Sequence, residues 1–178
     1  MRKMKYILLL LVIIAGGCTN KNSDDLDKQT VPEITEQEDG SIVLDLEKAY
    51  LLQDSLHPDM NTAEWSFRVE SRGRYELWLS SFTKDTMDLH YDDPVIVNFE
   101  HKRIRANPVG NEIILDTPGT GEDYYRADSR IGSLYIDSPG GYSIQIVSAK
   151  VRPCENIYER TGLRHTELRS LILKPMTE

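Results

Sequence analysis

From Ala63 to Ser81 the chain alternates between apolar and polar positions. Trp65, Phe67 and Val69 fall at every second place, with Glu64, Ser66, Arg68 and Glu70 between them. After Ser71-Arg72-Gly73 the alternation resumes, with Tyr75, Leu77 and Leu79 set against Arg74, Glu76, Trp78 and Ser80. A period of two sends alternate side chains to opposite faces of a strand, one buried and one wet. The short interruption containing Gly73 is hairpin chemistry, so the pattern predicts two adjacent antiparallel strands.

The same reading extends over the chain after residue 40. Ser41–Leu46 and Lys48–Leu52 are one bent strand or two short ones, and Gln53–Asn61 is a loop. Thr83–Asp93 is an acidic loop. After Pro94, Val95, Val97 and Phe99 point one way and Ile96, Asn98 and Glu100 the other. A tight turn at Glu100-His-Lys102 leads back through Arg103–Ala106, and Asn111–Leu115 forms a further short strand. Pro118–Asp123 carries strong turn signals. Tyr124–Asp128 suits an edge strand. Ile131–Asp137 and Tyr142–Val151 form a second expected hairpin about Ser138-Pro-Gly-Gly141. Asn156–Gly162 suits a helical turn, and Glu167–Lys174 is a final strand ended by Pro175. About nine or ten short strands, with turn signals every eight to twelve residues, predict an all-β two-sheet sandwich or barrel. Trp65, Phe67, Tyr75, Tyr142 and Ile144 are assigned to its core.

The first 40 residues read differently. Arg2, Lys3 and Lys5 precede the apolar run Ile7–Ala15, and Ala15-Gly16-Gly17 supplies small residues before Cys18. This is the layout of a secretory signal peptide, with an apolar run shorter than the roughly 20 residues that span a bilayer. The small residues directly before a cysteine resemble the bacterial lipoprotein box, which implies cleavage before Cys18 and acylation of its thiol. Ala15 stands where that motif usually has leucine. The alternative is an ordinary signal peptide cut elsewhere, with Cys18 a plain thiol. Thr19–Gly40 is polar and acidic, unable to bury enough surface to offset its ordering entropy, and is read as a tether. Ser23-Asp24-Asp25 resembles an acidic tag that sends lipoproteins to the outer face of the outer membrane, and is equally a solvated linker. The expected layout is therefore a signal peptide over 1–17, a lipidated tether over 18–40 and one β-sandwich domain over 41–178. Its expected place is the outer membrane, anchored by lipid, at the cell surface.

Charge and cysteine count narrow the function. Removing Met1–Gly17 takes three of the 21 basic residues and none of the 29 acidic ones; 18 against 29 leaves a net charge of −11. Such a body is poorly suited to nucleic acid, whose affinity comes from Lys and Arg on phosphates. Cys18 and Cys154 are the two cysteines. With Cys18 acylated, Cys154 is an inert thiol rather than half of a disulfide or a nucleophile.

The run Leu46–Leu51, Trp65-x-Phe-x-Val, Gly73-Arg-Tyr-Glu-Leu-Trp-Leu79, Ile131-Gly-x-Leu-x-Ile136 and Gly140-Gly-Tyr-x-Ile-x-Ile146 occurs in that order. It resembles the galactose-binding-like jelly roll, including the β-sandwich domains appended to bacterial alpha-L-fucosidases and carbohydrate-binding modules. The resemblance covers Ile42–Val151 and speaks to fold far more than to activity. It implies a non-catalytic carbohydrate-binding role, with a glycan or a glycan-processing protein as partner. A structural subunit of an envelope complex is the alternative, and a glycan hydrolase a third. No motif pairs two carboxylates, and the chain lacks a Gly-x-Ser-x-Gly elbow, a His-Glu-x-x-His helix and a phosphate loop. Its histidines are His57, His90, His101 and His165.

Sugar sites of this kind set an aromatic ring against a pyranose and surround it with polar side chains. Trp78, on the polar face of its strand beside Glu76 and, across the expected hairpin, Arg68, is the first candidate; the competing reading is an indole covered by a loop or the C-terminal segment. Tyr124, Tyr125 and Arg126 are the second candidate, and His90-Tyr91 the third. Asp45 and Glu47 match, in spacing, an acidic pair that holds structural calcium in modules of this fold, but Ser148 and Lys150 stand where the last strand would supply acids. Asp85–Asp93 offers oxygen ligands without the spacing of an EF-hand loop. No metal or other cofactor is assigned.

Overall fold

The computed structural model describes residues 33–54, 56–115, 124–151 and 166–176. Cys18, Cys154, His165, the expected signal peptide and most of the tether lie outside them, as do the Pro118–Asp123 loop and the Asn156–Gly162 turn. The described chain is all-β. Its strands are β1 (Ile42–Asp45), β2 (Tyr50–Leu52), β3 (Thr62–Val69), β4 (Gly73–Thr83) and β5 (Val95–Phe99). They continue as β6 (Lys102–Ala106), β7 (Glu112–Ile114), β8 (Tyr125–Ile136), β9 (Gly140–Val147) and β10 (Thr166–Pro175). They build two five-stranded antiparallel sheets, one in the order β1-β10-β4-β8-β7 and the other in the order β2-β3-β9-β5-β6. The two-sheet sandwich predicted from alternation is present.

The strand neighbours differ from expectation. β3 and β4 lie in opposite sheets, as do β8 and β9. Neither expected hairpin exists: each short Gly-containing link carries the chain across the sandwich. From Val69 to Gly73 the backbone can reach about 14 Å, enough to cross sheets stacked about 10 Å apart. The two crossings are built alike. The Tyr75 hydroxyl donates to the Ser71 carbonyl at 2.9 Å, and the Tyr142 hydroxyl donates to the Ser138 carbonyl at 2.7 Å. Each tyrosine thus clips its strand to the turn four residues back, a device known from the corners of other β-sandwiches. The pattern Ser-x-Gly-x-Tyr recurs at both places. The corners interlock, because β3 pairs with β9 and β4 pairs with β8. A third crossing joins β1 to β2 through a single 3-10 turn at Leu46–Lys48, which Asp45 caps by accepting the Glu47 N–H. β5 and β6 form a true hairpin, with Glu100 at a positive φ of 49° in its turn.

The expected edge strand at Tyr124–Asp128 is instead the first part of the 12-residue β8, which runs between β4 and β7. Residues 33–40, placed in the tether by their polarity, are docked on the body. The Ile34 side chain is buried, its carbonyl accepts the Arg68 N–H at 2.7 Å, and it bridges Phe67 in parallel. One apolar residue suffices here because it closes an edge of β3 that β2 leaves uncovered. The Glu36 carboxylate then accepts the Glu70 N–H at 2.7 Å and lies 3.3 Å from the Tyr75 hydroxyl. Burial, and second the Glu36 charge, push the Tyr75 phenol up to about 12.

The core fills the space between the sheets. Ile42, Leu44, Leu77, Leu79 and Leu171 face Trp65, Phe67, Phe99, Ile144 and Ile146. The Trp65 indole N–H donates across the sandwich to the Asp45 carbonyl at 2.7 Å, which satisfies its one polar atom. Phe67, Phe99 and Tyr142 form an aromatic triangle with ring centroids 5.7–6.4 Å apart. All five residues assigned to the core from sequence face inward; Tyr142 is half-buried. Removing either corner hydroxyl strands a carbonyl at a crossing. Tyr142→Phe is expected to lower unfolding free energy by about 1 kcal/mol, and Tyr75→Phe by at least as much. Urea unfolding with an unchanged m-value is the measurement, and two wild-type midpoints would refute the corner assignment.

Candidate functional site

Residues paired directly across antiparallel strands share a face, so the strand register shows what each outer surface presents. On the outer face of the first sheet, Trp78 of β4 lies between Ile172 of β10 and Arg130 of β8. It is 8% exposed. Its indole N–H donates to Glu76 at 3.0 Å, Glu76 accepts from Arg130 at 2.8 Å, and the Lys174 ammonium sits 4.2 Å over the ring. Trp78 is therefore not a ligand platform; the C-terminal strand and a cation cover it. A β-bulge makes this possible. Between Leu77 and Trp78 the register of β8 slips by one residue, which keeps Ile131 in the core and sets Arg130 beside the indole.

Toward Phe82 the same face is closed as well, while Arg74 and Tyr135, paired at the other end of β4 and β8, are exposed. Arg126 forks onto Asp128 at 2.9 and 2.7 Å, and Asp128 is 1% exposed. Arg169, in a second bulge, covers the Phe82 ring at 5.5 Å and donates to Glu47 at 2.7 Å. Asp45 and Glu47 thus meet a guanidinium. The candidates do not converge. Arg126 pairs with Phe82, four residues and roughly 14 Å along β4 from Trp78. Tyr124 lies under Lys84 at 4.7 Å. Tyr125 is half-exposed at the start of β8. Arg68 is on the other sheet, paired with Glu33 at 3.3 Å; the expected neighbour of Trp78 is replaced by Arg130. His90 belongs to its own loop: Asp85 accepts the Met87 and Asp88 N–H groups, which hold its carboxyl below the usual range, and lies 3.3 Å from the His90 ring. The Tyr91 hydroxyl bonds Ser81 at 2.9 Å, and burial raises it above an ordinary phenol. Among the described residues no group of three or more His, Cys, Asp or Glu is arranged to hold a metal ion.

The outer face of the second sheet is different. Register places Tyr50, Glu64, Gln145, Asn98 and Arg103 in one straight row across all five strands. Four strand spacings make it about 19 Å long. At its centre the Asn98 amide donates to the Gln145 carbonyl at 2.9 Å. Tyr50, at one end, is 54% exposed. Glu64 is half-buried, Arg103 is exposed, and neither makes an ion pair among the described residues. A second row, Leu52, Thr62, Val147, Ile96 and Arg105, runs alongside. An exposed ring, a carboxylate, two amides and a guanidinium in one register row can stack on an apolar ligand face and bond hydroxyls. Sequence reasoning missed this row because its members come from five strands, each contributing one residue with no motif. The available signal was small: the polar positions of already recognised strands, which acquire neighbours only through register.

No protein-family model matches the chain, and no curated protein matches it. Among solved structures, an alpha-L-fucosidase from Vibrio sp. strain EJY3 superposes with a TM-score of 0.63 at 20% identity, over 81% of this chain and 24% of that one. A GH26-CBM35 beta-(1,4)-mannanase of Podospora anserina gives a TM-score of 0.45 at 12% identity, over 79% and 28%. The chain therefore spans about a quarter of these two proteins. The likeness to the fucosidase is one of fold alone.

The two faces make opposite predictions. Trp78→Ala is expected to cost roughly 3–5 kcal/mol of stability, as for other buried tryptophans. Tyr50→Ala, on the open face, is expected to stay within about 0.5 kcal/mol of wild type. Equal thermal shifts for the two variants would contradict this division.

Proposed function

We propose that this chain is a non-catalytic glycan-binding lipoprotein, tethered to the outer membrane through acyl chains on Cys18, which lays a saccharide across the Tyr50–Arg103 row. The observation that carries the reading is the contrast between the faces. The polar groups around Trp78 are spent on one another, while in the row, beside an exposed ring, only the two amides bond each other, and Glu64 and Arg103 make no ion pair among the described residues. Pyranose rings offer an apolar face and a fringe of hydroxyls, which suits Tyr50 followed by Glu64, Gln145 and Asn98. The shared fold with part of an enzyme named for fucose hydrolysis supports the reading. A glycosidase uses two carboxylates, and the row supplies one, Glu64.

A second reading draws on apolar exposure near this face: Leu52 is exposed two residues from Tyr50 on β2, and Leu56 and Met60 are exposed in the link from β2 to β3. A protein partner in the envelope would cover them, as a structural subunit requires.

Glycan-array retention of the full-length protein, lost on Tyr50→Ala with the melting temperature unchanged, is the expected result. A blank array together with a stoichiometric protein partner after membrane crosslinking would replace this reading with the second. Metabolic labelling with an alkyne fatty acid is expected to mark the wild type, and Cys18→Ser is expected to abolish the label and release the protein from membranes. Labelling that survives the substitution would remove the anchor.

A further inference from the structure

The open row ends on a cationic edge, and we propose that this edge selects anionic polysaccharides, with a uronate carboxylate or sulfate ester held by Arg103 and Arg105. The inference rests on the glycan-binding reading and names its ligand class.

β6 is the outermost strand of the second sheet. Its register sets Arg103 beside Asn98 and Arg105 beside Ile96, both on the outer face. Side chains two apart on a strand lie about 7 Å from one another. Both are exposed and make no ion pair among the described residues. His101 and Lys102 precede them, so four of five consecutive residues are basic or titratable to a cation, in a chain of net charge −8. Arg68, Arg126, Arg130 and Arg169 each hold a carboxylate, whereas Arg72 and Arg74, at the first corner, also make no ion pair among the described residues but do not adjoin the row. Among the described residues no acid occupies the two β6 guanidinium groups, and a guanidinium fork matches a carboxylate or sulfate.

Edge strands also carry charge to discourage sheet-to-sheet association. That role needs no particular neighbour. Here Arg103 continues the row that holds Asn98 and Gln145, and Arg105 stands beside it at the end of the neighbouring row, so an anionic substituent on a sugar crossing Asn98 would fall within their reach. Tyr50 and Glu64 lie at the opposite end, roughly 14–19 Å away, where a carboxylate on the protein favours a neutral sugar unit.

The test measures binding of full-length protein to polygalacturonate, chondroitin sulfate and a neutral mannan, with phosphatidylglycerol vesicles as a further arm. One or both anionic glycans are expected to bind, to bind less well as salt is raised, and to lose about tenfold affinity with Arg103→Ala or Arg105→Ala. Arg72→Ala, in the first corner, is expected to change nothing. Binding of the neutral mannan alone, indifferent to both β6 substitutions, overturns the inference and leaves the glycan reading intact. So does a double variant whose sole defect is self-association. Vesicle binding that exceeds anionic glycan binding also overturns it. Failure of all three glycans, with the fold verified by melting, removes the underlying reading as well.

Discussion

Two phenolic hydroxyls hold the chain at two of the points where it leaves one sheet for the other. Tyr75 to Ser71 and Tyr142 to Ser138 are local bonds, yet each fixes a crossing on which a long-range pairing depends. Because β3 pairs with β9 and β4 with β8, the two corners lie against each other. Glu36 seals the first corner from outside, so the docked N-terminal segment belongs to the same construction.

The two outer faces obey one rule and reach different ends. Polar groups withdrawn from water need partners. On the first sheet β10 and the bulges bring Arg130, Arg169 and Lys174 over Trp78 and Phe82, and the acids nearby are matched by these cations. Around Trp78 and Phe82 that surface is a satisfied lattice. On the second sheet the amides bond each other while the flanking Tyr50, Glu64 and Arg103 keep their capacity. A large aromatic on a wet position drew attention to Trp78, and the structure moves that attention to a smaller ring on an edge strand.

Alternation was legible because it follows from each strand having one oily and one wet side. It located β3, β4, β5, β9 and β10 and picked Trp65, Phe67, Tyr75 and Ile144 for the core. It could not tell whether Gly73 turns the chain back beside itself or sends it across the sandwich, since both need a short turn and preserve the same period. Arg68 was set beside Trp78 on the first assumption and belongs with Glu33 under the second. Ile34 was illegible for a different reason: a single apolar residue carries no period, and its burial depends on an uncovered edge of β3.

The order of oily and polar side chains along this sequence was thus enough to dictate strands, sandwich and interior, because those depend on neighbours within a few residues. Pairing partners, the two bulges and the Tyr50–Arg103 row were decided by the folded body. Each brings together residues tens of positions apart, and backbone hydrogen bonds, which carry no trace in side-chain identity, set which of them meet.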